Sequence, residues 1–288
     1  MDGYKNQINW FPGHMAKARR EIEEKLNQVD IVLEILDARV PSSSANPMME
    51  NILQKKPRLV LLNKASLADK EQTKKWISHF AKEGIVALDV DLINDYNVKK
   101  IIPLINQVLE ERNKKKESKG IISKKVRALV VGIPNVGKST FINKLAKKHV
   151  AQIGDKPGVT KSQTWIKVSV DLELLDTPGI LWPKFDSQEV AFNLATIGSI
   201  KDEILPLEDV SNYAIQFVQK YYLNNLNNRY QIEVKEDTDL LEIYDLIGRK
   251  RGCVLKGNEI DYDRVINLFL YDLRHEKLGA ITYDRQWY

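Results

Sequence analysis

Cysteine is nearly missing from this chain of 288 residues, which has only Cys253. A single thiol excludes an internal disulfide framework and fits a reducing compartment, and nothing around it suggests a reactive role. Long hydrophobic runs are missing too. None approaches the ~20 residues of a bilayer span, so no membrane partner is expected. The opening residues, MDGYKNQINWF, lack the charged-then-apolar layout of a signal peptide, and the expected location is cytoplasmic. There is no internal repeat and no motif that reads a DNA groove, so DNA is not an expected partner.

What is there is an ordinary globular composition, long enough for two domains with a core each. The net charge of +5 hides an asymmetry: residues 1–184 hold 32 Lys/Arg against 21 Asp/Glu, and residues 185–288 hold 12 against 18. A basic first half suggests a polyanionic partner, partly explained by nucleotide binding. Any single lysine is better read as solvated surface.

The most informative stretch is VRALVVGIPNVGKST, residues 126–140. The apolar run Ala128 to Val131 reads as a buried parallel strand. It leads into Gly132-Ile-Pro-Asn-Val-Gly137-Lys138-Ser139, which fits the phosphate-binding pattern G-x-x-x-x-G-K-[ST]. The glycines let the backbone curl so that its N–H groups, from Asn135 and Val136 through Gly137 to Thr140, face phosphate oxygens. Lys138 adds a point charge for the outer phosphates, and Ser139 offers a hydroxyl to Mg²⁺. A helix from Ser139 to Lys148 aims its positive end at the same anion.

Along the chain, helices are expected at 17–28, 48–54, 69–83 and 98–112, and strands at 31–36, 59–62 and 85–90. Residues 113–125, NKKKESKGIISKK, read as a lysine-rich linker. Two strands, 164–170 and 172–175, read as a hairpin ending at Asp176-Thr177-Pro178-Gly179. This alternation indicates a mostly parallel α/β sheet with its ligand at the strands' carboxyl ends. Beyond Trp182-Pro183 only helices are expected, near 187–195, 210–221, 239–248 and 261–274. The last shows Val265, Leu268/Phe269 and Leu273 as an amphipathic face. The division is therefore 1–182 for the nucleotide domain and 183–288 for a helical domain.

Several loops converge on one chemistry. Asp176, at a strand end, is placed to bind Mg²⁺ through a water, and the Gly179 N–H to meet a γ-phosphate. Thr160, within Pro157-Gly158-Val159-Thr160, would give Mg²⁺ a second hydroxyl only when its loop closes over that phosphate. Asn63-Lys64 fits a base-recognition loop, with Asn63 toward the purine edge and Lys64 laying its stem over ring and phosphate loop. These are the motifs of a GTPase in the wrong order, since Asn63 precedes Gly132. The fold class expected is α/β: a circularly permuted P-loop GTPase domain plus an all-helical C-terminal domain, with the linker joining the old termini.

The segments WFPGHMAKA near the N-terminus, Asp37-Ala38-Arg39, GIPNVGKS, and DTPGILWPK from Asp176 to Lys184 resemble the YlqF/RbgA family of ribosome-assembly GTPases, over nearly the full chain. The resemblance implies GTP or GDP as ligand with Mg²⁺. It also implies an RNA-contacting helical domain and action late in large-subunit maturation. Asn135 resembles the asparagine that in related GTPases helps to hold K⁺, although an Asn in a Gly-rich turn is also simple turn chemistry. For rRNA the candidates are Lys17, Arg19, Arg20, the lysines at 114–116, and Arg249-Lys250-Arg251 at a helix end. Because the segment after Gly179 runs straight into the helical domain, nucleotide state is expected to reorient that domain.

Two departures stand out. The base loop usually reads NKxD, but here it reads Asn63-Lys64-Ala65-Ser66, and a hydroxyl lacks the charge assistance of a carboxylate. Asp69, three residues on, is the candidate substitute. The residue after DTPG is Ile180, which cannot orient an attacking water as glutamine does. His14 is the candidate for that task, against a packed or RNA-facing role, and would act with Lys138, Thr160 and Gly179. Intrinsic turnover should be slow. Ser66 also leaves an ATPase open, and an RNA-binding scaffold with a structural nucleotide site is the alternative from another class.

Overall fold

The computed structural model describes residues 20, 22–47, 49–50, 56–117, 125–147, 164–177, 179, 185 and 187–286. His14, Lys17, Arg19, Thr160 and Ile180 lie outside them. Strand β1 (Ile31–Asp37) is IVLEILD, and all seven residues are buried, as a central parallel strand covered on both faces requires. Strands β2 (Arg58–Asn63), β3 (Val86–Asp89), β4 (Val126–Val131), β5 (Thr164–Lys167) and β6 (Leu172–Asp176) join it in the order β3-β2-β1-β4-β6-β5. Every pairing is parallel except β5 with β6, which forms the antiparallel edge that the hairpin predicted.

This order reveals the permutation. β4, which feeds the phosphate loop, is fourth in the chain yet central in the sheet. The chain enters beside it at β1 and moves outward through β2 and β3. It then returns along helix α2 (Ile101–Glu117) to β4, crosses to the far edge at β5 and comes back to β6 beside β4. Asp37 and Asn63 are level in the β1/β2 register, so the loops after β1, β2, β4 and β6 open on one rim. The expected linker is partly helical. α2 runs to Glu117 because the sequence KKKE favours helix, and Lys114 pairs with Glu110 one turn back at 2.6 Å.

Helix α1 (Lys70–Lys82) starts at Asp69, whose carboxylate accepts the Glu71 and Gln72 N–H groups. Helix α3 (Lys138–Ala146) begins at the end of the phosphate loop. Among the described residues five α-helices follow: α4 (Gln188–Thr196), α5 (Leu207–Tyr221), α6 (Leu223–Tyr230), α7 (Leu240–Arg251) and α8 (Tyr262–Arg274). Among the described residues after Asp176, the sole β pairing is one bridge, Val254 with Ile260. α6 escaped prediction because its sequence, LNNLNNRY, buries only Leu226 and Tyr230. α8 buries Val265, Phe269 and Leu273, as their spacing indicates.

One contiguous apolar core links the sheet to these helices. The C-terminal tail returns to the sheet's rim. Ile281 N–H donates to the Leu67 carbonyl at 2.9 Å, and Tyr283 N–H to the Arg39 carbonyl at 2.7 Å. No helix among the described residues is long and apolar enough to cross a membrane.

Candidate nucleotide site

The phosphate loop is built on two close approaches. Gly132 has φ +152°, and a Cβ there would lie 2.5 Å from the Ile35 carbonyl oxygen of β1. Gly137 has φ +103°, and its Cα faces the Asn63 side chain so closely that a Cβ would collide with Nδ2. No other residue type supplies both the left-handed backbone and the missing volume. Asn135 takes the left-handed region at φ +63°, which asparagine tolerates better than most residues. Val136 and Lys138 are buried, whereas Ser139 and Thr140 are half-buried in the first turn of α3.

Lys138 donates to the Ile133 carbonyl at 2.7 Å, so its ammonium is curled over the loop. Burial pushes it down to about 8, with the opposite charge of Asp176 working against the shift. Burial likewise raises the Asp176 carboxyl, with Lys138 and the Thr177 N–H opposing. Thr177 Oγ1 donates to the Val130 carbonyl at 2.6 Å and pins the end of β6 to β4. Asp176 Oδ1 is buried and has no hydrogen-bond partner among the described residues. A buried carboxylate oxygen left unpaired is costly unless something binds it. A carboxylate oxygen of this kind, with a hydroxyl such as that of Ser139, is the hard-oxygen chemistry that Mg²⁺ takes. Gly179 completes the rim: a Cβ there would come within 2.8 Å of Pro134 N and 2.9 Å of Lys138 Nζ.

On the base side, Asn63 is a brace. Its Nδ2 donates to the Val136 carbonyl at 2.7 Å, and its Oδ1 accepts from Leu92 N–H at 3.3 Å. It thereby ties the base loop to the phosphate loop and to the loop after β3. Lys64 pairs with Asp37 at 2.9 Å. Arg39 grips the same carboxylate with Nε at 2.9 Å and Nη2 at 2.8 Å. Burial alone would raise Asp37, but Arg39 and Lys64 hold it far below the usual carboxylate range.

Asp69 does not replace the missing base-loop carboxylate. Its oxygens cap α1 and accept the Tyr222 hydroxyl at 3.1 Å. The carboxylate that does reach the base loop is Asp91, which accepts the Ser66 hydroxyl, the Ile93 and Asn94 N–H groups at 2.9 Å each, and Asn94 Nδ2 at 3.1 Å. Burial would raise Asp91, but these donors, Ser66 foremost, keep it below the usual range.

The helical half reaches the site directly. Asn135 Nδ2 donates to the Gly198 carbonyl at 2.9 Å, and Arg39 Nη2 lies 3.5 Å from that of Ile197. Of the rRNA candidates, Arg20, Arg249 and Lys250 are exposed. Arg251 is half-buried, donating to the Arg229 carbonyl with its guanidinium 5.2 Å over the Tyr230 ring. The sequence places the final base-contacting loop near Asp91 to Asn94, a poor match to the usual pattern that gives Asp91 no role, and Gly198 was missed because it lies in no recognisable motif.

Fold and site together define a circularly permuted P-loop GTPase. The sequence profile of the family described as "50S ribosome-binding GTPase" matches residues 127–256. The chain is 50% identical to the "Ribosome biogenesis GTPase A" of Bacillus licheniformis, across 96% of this chain and 98% of that one. Two solved structures are similar over almost all of it. One is titled as GDP-bound TM YlqF (27% identity, TM-score 0.66, covering 92% of this chain and 99% of that one). The other is GNP-bound YlqF from T. maritima (28% identity, TM-score 0.63, covering 93% and 98%). The chain belongs to the ribosome biogenesis GTPase A (YlqF/RbgA) family, and is a guanine-nucleotide-binding GTP hydrolase of ribosome assembly.

Proposed function

We propose that the protein hydrolyses GTP in the cytoplasm while bound to an immature large ribosomal subunit and its rRNA, and that turnover changes its grip on the particle. Asp176 carries the case for hydrolysis: its buried carboxylate oxygen has no hydrogen-bond partner among the described residues, and it interacts with Lys138, whose Nζ lies close to Gly179 at the phosphate loop. Ser139 and Asp176, joined by Thr160, would hold Mg²⁺. Held by these residues, Mg²⁺ would supply positive charge against the phosphate oxygens.

The chain's own groups do the rest. Lys138 leaves the Ile133 carbonyl for the outer phosphates, and the amides from Asn135 to Thr140 bind the inner ones. The Gly179 N–H meets the γ-phosphate, and Asn63 with Lys64 bounds the base. With an isoleucine at 180 and no glutamine, His14 orients the water, so turnover stays slow until the particle places it. The Asn135 side-chain oxygen would share a K⁺ ion, whose charge would favour the transition state.

The chain divides at 182/183. Asn135 and Gly198 join the two parts, so a change at the phosphates is felt by the helical domain. Lys17, Arg19, Arg20, Arg249 and Lys250 face rRNA, with Arg251 shaping the surface behind them.

GTP turnover in potassium buffer, with and without purified large subunits or immature particles, tests the proposal. Strong stimulation by either particle is expected, together with its loss in His14→Ala at unchanged GTP affinity. Turnover indifferent to both particles would overturn it.

A further inference from the structure

A serine in a base-recognition loop is ambiguous. Its hydroxyl can accept from guanine, whose N1–H and 2-amino group are donors, or donate to adenine, whose N1 is an acceptor. The surroundings decide which face it shows. Ser66 is exposed, in the loop after β2, and its hydrogen is committed to the buried carboxylate of Asp91. Asp91 cannot return the favour. Ionised, it only accepts, and its two oxygens are already ringed by donors from Ile93, Asn94 and Ser66.

We propose that Asp91 is a specificity-determining residue of the nucleotide site: by holding the Ser66 hydrogen, it turns the Ser66 oxygen into a fixed acceptor for guanine. Asp91 need not touch the base. The carboxylate has moved one layer back, to the loop after β3, and acts through a hydroxyl. The relay polarises that hydroxyl and recovers part of the charge assistance that a direct carboxylate would give. It also repels adenine, because the Ser66 hydrogen has nowhere better to go and two acceptors would be left facing each other. Asn63 fixes the geometry by tying Leu92, next to Asp91, to the phosphate loop.

Replacing Asp91 with asparagine is informative because the loop dictates how the amide sits. The Ile93 and Asn94 N–H groups need the side-chain oxygen, so the new NH₂ must point at Ser66. The relay then runs backwards: the amide donates to Ser66, and the Ser66 hydrogen swings outward to face the base.

The inference rests on residues 63–66 being the base loop, and the experiment separates the two. Equilibrium dissociation constants for GDP, IDP and ADP are measured on the full chain by titration calorimetry. The GDP-to-ADP ratio is the readout, since partial loss of folded protein affects both ligands alike. The unsubstituted chain should prefer GDP strongly. Ser66→Ala should cut GDP affinity about tenfold with ADP little changed. Asp91→Asn should lower the ratio at least as far, by weakening GDP and improving ADP. Ser66→Asp alone crowds two carboxylates together and should not help. Ser66→Asp combined with Asp91→Asn should restore guanine preference. If the unsubstituted chain does not discriminate, the base-loop assignment itself fails. If it does discriminate, but Ser66→Ala and Asp91→Asn keep its ratio, the relay is overturned.

Discussion

The side-chain amide of Asn135, inside the phosphate loop, donates to the backbone carbonyl of Gly198 at the end of α4, 2.9 Å away. Among the described residues this bond ties the phosphate loop to the helical half, and a loop rearrangement would break it. Gly198 is held for it from the other side. It adopts φ +78°, and a Cβ would sit 3.4 Å from Arg274 Nε. Arg274 itself donates to the Ala195 and Thr196 carbonyls at 2.9 and 3.0 Å. Asn135→Ala should therefore loosen the α4 terminus by about 1 kcal/mol, read as faster amide exchange at residues 197–199. Gly198→Ala should act at the same place, through left-handed strain of about 1–2 kcal/mol. Unchanged exchange in both variants would mean that the contact couples nothing.

The buried lysine predicts a pH dependence with a definite sign. Lys138 titrates near 8 in the folded protein because burial disfavours its charge. A bound phosphate favours the charged form, so nucleotide binding above that pH must take up a proton. Affinity for GDP should be flat below about pH 7 and fall as pH rises past 8, by up to about tenfold per pH unit. At pH 8.5 the heat of binding should vary with the ionisation enthalpy of the buffer. Heat that is independent of the buffer would rule out the uptake.

Asp37, fully buried between Arg39 and Lys64, is a pair that tolerates no half-measures. Arg39→Ala leaves a buried carboxylate with only the lysine, and should cost about 3–5 kcal/mol in urea denaturation. Removing both charges, Asp37→Ala with Arg39→Ala, should cost less than the two single losses added together. Arg39→Lys should recover little, since one ammonium cannot match the two-pronged grip of Nε and Nη2 on the carboxylate.

The parts legible in the sequence were those where one local rule decides. The apolar runs of β1 and β4, the glycines at 132 and 137, and the carboxylate at the end of β6 each follow from short-range necessity, and they emerge where expected. The permuted order was legible because Asn63 and Gly132 each carry a motif. Illegible were the contacts between distant segments. Ser66 meets Asp91 across 25 residues, Asn135 meets Gly198 across 63, and Ser43 meets Asp284 across 241. No periodicity encodes such pairings. Asp69 shows the hazard of choosing by proximity in sequence: three residues from Ser66, it serves a helix end instead.

Asp284 supplies the last test. Its carboxylate, fully buried where the tail meets the sheet, accepts Ser43 N–H at 2.7 Å, Ser43 Oγ at 2.5 Å and Asn193 Nδ2 at 2.9 Å. Asn193 in turn accepts the Tyr213 hydroxyl at 2.6 Å, so the tail, α4, α5 and the loop after β1 share one network. Burial nevertheless outweighs these donors and raises the group to about 7. Unfolded, it would titrate near the ordinary aspartate value of about 4. Between those limits the folded state holds a proton that the unfolded state has released, so this group's contribution to stability falls as pH rises from about 4 to 7, then levels. Asp284→Ala strands the Ser43 and Asn193 donors and should cost about 1–3 kcal/mol. It should also remove this component of the pH dependence, so that the gap between variant and parent narrows steadily from pH 5 to pH 7. Urea midpoints at half-unit intervals would show it, and a constant gap across that range would mean that Asp284 is ionised throughout.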